Sequence, residues 1–302
     1  MAKNIVFFDL EIGEKGKIND IGAVNNNKGI LHNTSVGSFC LFAADAEFLC
    51  GHNAIHHDMK YLAPLLNGRI TSKIIDTLYL SPLLFPQKPY HRLVKDDKLQ
   101  VDEFNNPVND SKKAKDLFLE EVEAFLSLPE ALKKIFYSLL SEIDEFKAFF
   151  DYIDYQHNDD NLIETIKKEF AGKICSNADI EMVSREYPVE LAYSLALIAC
   201  DDSSSVIPKW LILTYPKIEW IIQLLCNTRC EKGCSYCSYA LNVNIALKHY
   251  FGFSSFRTYN GENLQEKAAQ AAVNGKSLLA VFPTGGGKSI TFQLPALMAG
   301  KS

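Results

Sequence analysis

Asp9 and Glu11 stand two residues apart in the run Phe8-Asp9-Leu10-Glu11. On a strand, that spacing sends both carboxylates from one face while Leu10 enters the opposite layer. Carboxylates aimed at one point can hold divalent ions. Two such ions about 3.5–4 Å apart supply the nucleophilic water and the stabilised leaving oxygen that phosphodiester hydrolysis needs. Oxygen donors suit Mg²⁺ or Mn²⁺. Taken alone, an Asp-x-Glu pair fits a solvated strand face as well. A second set, Cys226, Cys230, Cys234 and Cys237, falls within twelve residues and offers four thiolates, enough to close a structural tetrahedral zinc site. A third, Thr284-Gly285-Gly286-Gly287-Lys288-Ser289, is a glycine-rich loop suited to cradling phosphates, with Lys288 on the β- and γ-oxygens and Ser289 on Mg²⁺.

These residues need elements to position them. Residues 4–10, 21–24 and 29–39 are β-prone, with Asn25-Asn26-Asn27 as a turn, and predict a three-strand meander. Residues 52–66 read as helix and 73–77 as strand, before Pro82, Pro86 and Pro89 break the chain. That order predicts an α/β domain with a mixed sheet. From about residue 112 to 225 the apolar period becomes helical, through Leu117, Val122, Phe125 and Leu126, then Leu132, Phe136, Leu139, Leu140 and Ile143. Residues 201–205 read as a loop. Residues 278–282 form an apolar run that predicts a strand before the glycine loop, with a helix after it.

The 302 residues carry a net charge of −6 and 47% hydrophobic side chains, ample for packed cores. Charge is unevenly spread: residues 1–120, 121–225 and 226–302 have net charges of −1, −10 and +5. The acidic middle is a poor surface for a phosphate backbone, and the basic end suits polyanions. No apolar run reaches the ~18 residues of a membrane span, and no secretory signal is evident, so a cytoplasmic protein without a membrane partner is expected. In a reducing compartment the cysteine cluster argues for metal rather than disulfides.

Further motifs join the acidic pair. Asp20-Ile21-Gly22-Ala23-Val24 follows it, then Leu49-Cys50-Gly51-His52-Asn53-Ala54-Ile55-His56-His57-Asp58, Ile75-Asp76-Thr77-Leu78, Tyr90-His91 and Asn109-Asp110. In this order they resemble the DnaQ-like, DEDD family of 3′-to-5′ exonucleases. The resemblance implies a ribonuclease H-like fold in which Asp9 bridges two ions, Glu11 and Asp110 complete one, Asp58 holds the other, and His91 deprotonates the attacking water. His56 and His57 would lie behind the ligands or in the core, and His52 and Asn53 would fix the helix or touch the terminal nucleotide. One departure stands out. The family places its histidine five residues before the last aspartate, where this chain has Asn105, and His91 lies nineteen before Asp110. Residues 95–107 would form an inserted hairpin returning the chain to the site.

Phe251-Gly252-Phe253, Phe256-Arg257, Gln265, residues 281–289 and Gln293-Leu294-Pro295-Ala296 resemble the opening of RecQ-family helicases, with extra residues between Arg257 and Gln265. This implies ATP as cofactor, with Gln265 reading adenine. The acidic Walker B strand and second motor lobe do not follow, so ATP turnover and unwinding are expected of a longer parent and not of this chain. Cys230, Cys234 and Cys237 also match the iron–sulfur spacing of radical enzymes, whose large barrel does not follow either.

Taken whole, the chain resembles the N-terminal portion of a Werner-type exonuclease–helicase fusion. The expected organisation is an exonuclease domain over 1–120, a helical connector over 121–225, a zinc knuckle over 226–240 and a helicase start over 250–302. The expected activity is 3′-to-5′ cleavage of single-stranded or duplex DNA ends in repair or recombination. The alternatives are a non-catalytic module that binds DNA ends or docks on the rest of the motor, and an ATP-dependent helicase.

Overall fold

Ile5–Ile12 forms β1, whose alternation feeds two layers. Val6, Phe8 and Leu10 enter a core with Ile21, Phe39, Leu49 and Leu62, whereas Phe7 meets Phe118 on the other face with ring centroids 5.8 Å apart. The computed structural model describes residues 3–66, 68–88, 90–93, 106–158, 161–200 and 207–299. It divides the chain into two units, Met1–Asp160 and Asn161–Ser302.

In the first unit, β2 (Ile18–Asn25) and β3 (Gly29–Asn33) complete the meander. The third element is shorter than its β-prone run: Val36–Ala43 is helix α1, started by Ser35, whose Oγ accepts from Ser38 N at 3.3 Å. Then come β4 (Phe48–Gly51), a π-helical turn (Ala54–Asp58), α2 (Met59–Leu66), β5 (Lys73–Asp76) and α3 (Thr77–Leu84). The five strands order as β3-β2-β1-β4-β5. β2 runs antiparallel to β1 and β3, and β4 runs parallel to β1 and β5, so the sheet is mixed.

Pro82 lies inside α3 instead of breaking the chain. Burial of Tyr79, Leu80, Leu83 and Leu84 holds that helix, since packing outweighs intrinsic preference in short helices. Pro89, the expected hairpin and Asn105 lie outside the described residues, as does the loop expected over 201–205.

Helix α4 (Pro107–Ser127) covers the Phe7 face of β1. Its inward stripe is Val108, Ser111, Ala114, Phe118, Glu121 and Phe125, and Leu126 stays 54% exposed. Helices α5 (Glu130–Leu140) and α6 (Asp144–Ile153) belong to this same unit, which therefore extends past the expected boundary at residue 120. Edge-to-face rings explain the extension: Phe125 meets Phe149 and Phe150 of α6, each at 5.6 Å.

The second unit is helical. It comprises α7 (Leu162–Glu169), α8 (Ile180–Glu186), α9 (Pro188–Ala199), α10 (Lys209–Thr214), α11 (Ile218–Ile222), α12 (Ser235–Ala240), α13 (Val243–Phe251), α14 (Leu264–Val273) and α15 (Ile290–Ala299). Residues 278–282 form no strand, and Leu279 is 91% exposed. An apolar strand needs neighbours on both edges, and no described residue pairs with this run. No helix among the described residues is long and apolar enough to cross a membrane.

Glu121 is fully buried, and neither carboxylate oxygen finds a hydrogen-bond partner among the described residues. Burial, then the charge of Asp76, pushes its pKa well above the ordinary glutamate range. A folded-state pKa above the unfolded one means that this group's stability contribution is complete below about pH 4.3, the unfolded value, and is lost as pH rises through the raised value. Glu121→Leu should therefore stabilise the protein by about 1–3 kcal/mol near neutral pH. Urea denaturation at several pH values should show the gain shrinking towards acid.

Candidate functional site

The carboxylates of Asp9 and Glu11 leave the α4 face of β1, and Asp110 stands in the first turn of α4. Asn106 starts that helix, its Oδ1 accepting from Val108 N at 3.0 Å, and Pro107 follows at the first helical position. Oxygens of Asp9, Glu11 and Asp110 all lie within 4.8 Å of one another, and the three residues are half-buried. Negative charges held this close repel unless a cation joins them, and three carboxylate oxygens are the donor set that Mg²⁺ or Mn²⁺ takes.

The start of α4 is fixed by Gly22, which pairs with Asp9 across β1 and β2. A Cβ there would stand 2.1 Å from the carbonyl carbon of Pro107 and 2.2 Å from Val108 N, so any side chain would displace the helix. Buried Ser111 adds a hydrogen bond, donating to Gly22 O at 2.9 Å.

Asp58 is buried beside this centre but is not one of the three converging groups. One oxygen accepts from Leu10 N at 3.1 Å and the other lies 3.6 Å from His57 Nδ1. Burial raises its pKa, and His57 opposes that rise. The π-helical turn that delivers Asp58 is tied to β5 by Asp76. That carboxylate accepts from Asn53 N at 2.7 Å, Ile55 N at 2.9 Å and Leu78 N at 3.0 Å. Burial pushes Asp76 up to about 6 against those three bonds.

The histidines differ in exposure. His91 is 5% exposed, with Nδ1 2.8 Å from Ser81 Oγ on α3. Burial, then the charge of Lys88, pushes it down to about 4. Burial, then His91, does the same to His52, whose Nδ1 is 2.9 Å from Thr77 Oγ1. Burial thus holds both imidazoles in the uncharged form near neutral pH. His57 is exposed and lies in the fields of Asp58 and Glu11, with the Asp58 bond the first cause of its raised pKa. His56 is also exposed, 3.7 Å from Glu145.

The thiols differ from the expected set in one member. Cys175, Cys230, Cys234 and Cys237 place their sulfurs within 4.8 Å of one another. Cys226 is not in that group, and its Sγ lies 3.7 Å from Lys173 O. Nothing in local spacing signals Cys175, because it comes from a turn 51 residues upstream of Cys226.

In the glycine loop, Gln265 is buried and both ends of its amide are engaged. Oε1 accepts from Arg257 N at 2.9 Å and Nε2 donates to Gly287 O at 2.8 Å. Gly287 has φ 64°, and a Cβ there would stand 2.6 Å from Gln265 Nε2. Arg257 donates to Gly285 O at 3.0 Å, and Tyr259 donates to Gly286 O. Gly286 N turns back to Pro283 O at 2.9 Å. Gln265 therefore props the loop here, while Thr284, Lys288 and Ser289 are exposed.

No family model matches the chain, and no solved structure matches it. Short stretches do match curated proteins. The chain is locally similar to RecQ-family DNA helicases. It is 48% identical over 58 residues to ATP-dependent DNA helicase Q5 of Rattus norvegicus, covering 19% of this chain and 6% of that protein. It is 41% identical over 71 residues to the helicase Q-like SIM of Arabidopsis thaliana, 23% of this chain and 8% of the relative. To the ATP-dependent DNA helicase RecQ of Haemophilus influenzae it is 47% identical over 51 residues, 17% of this chain and 7% of that protein.

Residues 278–282 pair with no strand among the described residues, and Gly286 N is bonded inside its own turn, so that amide is not turned to phosphate. Titration of the 302-residue chain with a fluorescent ATP analogue should show no micromolar binding, and Lys288→Ala should leave the trace unchanged. Saturation at micromolar nucleotide that Lys288→Ala removes would contradict this.

Proposed function

We propose that the first unit is a metal-dependent phosphodiester hydrolase, a 3′-to-5′ exonuclease of ribonuclease H-like architecture acting on DNA ends. The observation carrying this reading is the convergence of Asp9, Glu11 and Asp110 from β1 and α4, about a hundred residues apart in sequence. The mixed sheet behind them is consistent with that architecture. Similarity to DNA helicases supports DNA as the substrate. On this reading the chain is part of a longer DNA-processing enzyme in repair or recombination, whose motor would use ATP.

Asp9, Glu11 and Asp110 would hold Mg²⁺ or Mn²⁺, which when bound supplies an acidified water and positive charge at the leaving oxygen. Asp58, outside that trio, ties the π-helical turn to β1 through Leu10 N. On this reading His57, exposed and 3.6 Å from an Asp58 oxygen, would accept the proton of the attacking water. His91, bonded to Ser81 in the interior, holds α3.

End-labelled oligonucleotides with Mg²⁺ or Mn²⁺ test the reading. Wild type should shorten a 5′-labelled strand progressively from its 3′ end, and Asp9→Ala should lose nearly all of that activity. Unchanged digestion by Asp9→Ala would sink the assignment, while tight end binding without cleavage by wild type would favour the non-catalytic docking reading. His57→Gln should slow cleavage by roughly 10²–10⁴-fold, the range of general base catalysis, and His91→Gln should remain within a few-fold of wild type. The opposite pattern would return the base role to His91.

Gly22 supplies a separate check, because it touches no ligand yet sets where Asp110 stands. Gly22→Ala should weaken Mn²⁺ binding by roughly 10–100-fold, as loss of a supporting contact does at metal sites. Calorimetric titration reads this directly, with Gly37→Ala as control, since a Cβ there meets nothing closer than Ser35 Oγ at 3.5 Å.

A further inference from the structure

Four thiol groups meet in the second unit from two separate turns. Cys175 lies in the turn between α7 and α8, its amide donating to Leu225 O at 2.8 Å and its carbonyl accepting from Ala178 N at 3.1 Å. Cys230 and Cys234 lie in the turn before α12, where Gly233 takes φ 70°, and Cys237 lies within α12. Cys175 Sγ is 3.8 Å from Cys234 Sγ, and all four sulfurs fall within 4.8 Å of one another.

That spacing selects the ion. Zinc–sulfur bonds of about 2.3 Å in a tetrahedron set the sulfurs about 3.8 Å apart along each edge. A four-iron cluster gives each cysteine its own iron at a separate corner, so its sulfurs stand farther apart than those sharing one ion. The surroundings suit thiolates. Asn177 Nδ2 donates to Cys230 Sγ at 3.3 Å and to Gly233 O at 3.2 Å, and Cys237 N donates to Cys234 Sγ at 3.4 Å. Such N–H···S bonds orient metal ligands from outside the coordination sphere. Leu241, Ala178, Tyr236 and Val273 pack around the group.

We infer that Cys175, Cys230, Cys234 and Cys237 bind one structural zinc ion, with Cys175 supplying the ligand from the α7–α8 turn and Cys226 taking no part. Four thiolates fill a tetrahedron and leave no position for substrate or water, so the ion is a clasp. It joins the helical segment containing α7 and α8 to the segment that leads into the glycine loop. Its free energy of binding is folding free energy for both turns. The inference is independent of the acidic centre in the first unit.

Elemental analysis of the full chain, purified under reducing conditions, should find about one zinc per chain, as one tetrahedral Cys₄ site predicts. Cys226→Ser should keep that content, and Cys175→Ser should lose most of it. Should Cys175→Ser fail to fold, two measurements on folding-competent protein decide instead. Cobalt-substituted wild type and Cys226→Ser should both show the intense visible bands of tetrahedral four-thiolate Co²⁺. Maleimide labelling followed by mass spectrometry should modify Cys226 in the native protein while half-buried Cys230 and Cys234 react after a chelator is added. Zinc lost with Cys226→Ser and kept with Cys175→Ser would overturn the assignment. Bound iron with acid-labile sulfide, or a chain that takes up neither zinc nor cobalt, would do so as well.

Discussion

The first turn of α4 rests directly on β2 because Gly22 has no side chain, and this close approach is what lets Asp110 reach the carboxylates of β1. Ser111 reinforces it through its bond to Gly22 O. Asn106 and Pro107 start the helix at that point, so the residue one turn in falls over Asp9 and Glu11. The apolar stripe of α4 then covers Phe7 and holds the arrangement in register. Local helix signals set where α4 begins, and packing sets where it lies.

Two buried aspartates do the remaining positioning. Asp76 collects three backbone amides at the end of β5, one from Ile55 in the π-helical turn and one from Asn53 just before it, and so fixes the segment carrying Asp58. Asp58 in turn accepts from Leu10 N, joining that segment to the strand bearing Asp9 and Glu11. Backbone amides oppose the desolvation of both carboxylates, which burial alone would push further towards their neutral forms. Glu121 has no such partners among the described residues and carries that cost uncompensated.

The second unit solves a different problem. Its turns at 170–179 and 228–234 meet where the four sulfurs converge, and Asn177 Nδ2 donates from one turn to Gly233 O of the other at 3.2 Å. Beyond them, α13, α14 and α15 share a small core of Val243, Leu247, Phe256, Ala269 and Leu294. That core, with Gln265, holds the glycine loop in shape although residues 278–282 pair with no strand among the described residues.

Much of the acidic site was legible in the sequence, since period-two spacing places Asp9 and Glu11 on one face whatever the rest of the chain does. The meander and the helical middle likewise follow from local residue patterns, and the mixed sheet from the order of the elements. The third strand is shorter than the β-prone run 29–39 because Ser35 caps a helix inside it. Spacing left it to tertiary structure that Asp110, joined to the pair beforehand only by the family resemblance, meets it, that His91 turns inward to Ser81 while His57 stays by Asp58, and that Cys175 rather than Cys226 meets the other three thiols. The physical reason is common to all three. Spacing along the chain fixes direction within one element, but which elements meet depends on close approaches such as Gly22 and on turns brought together from distant segments.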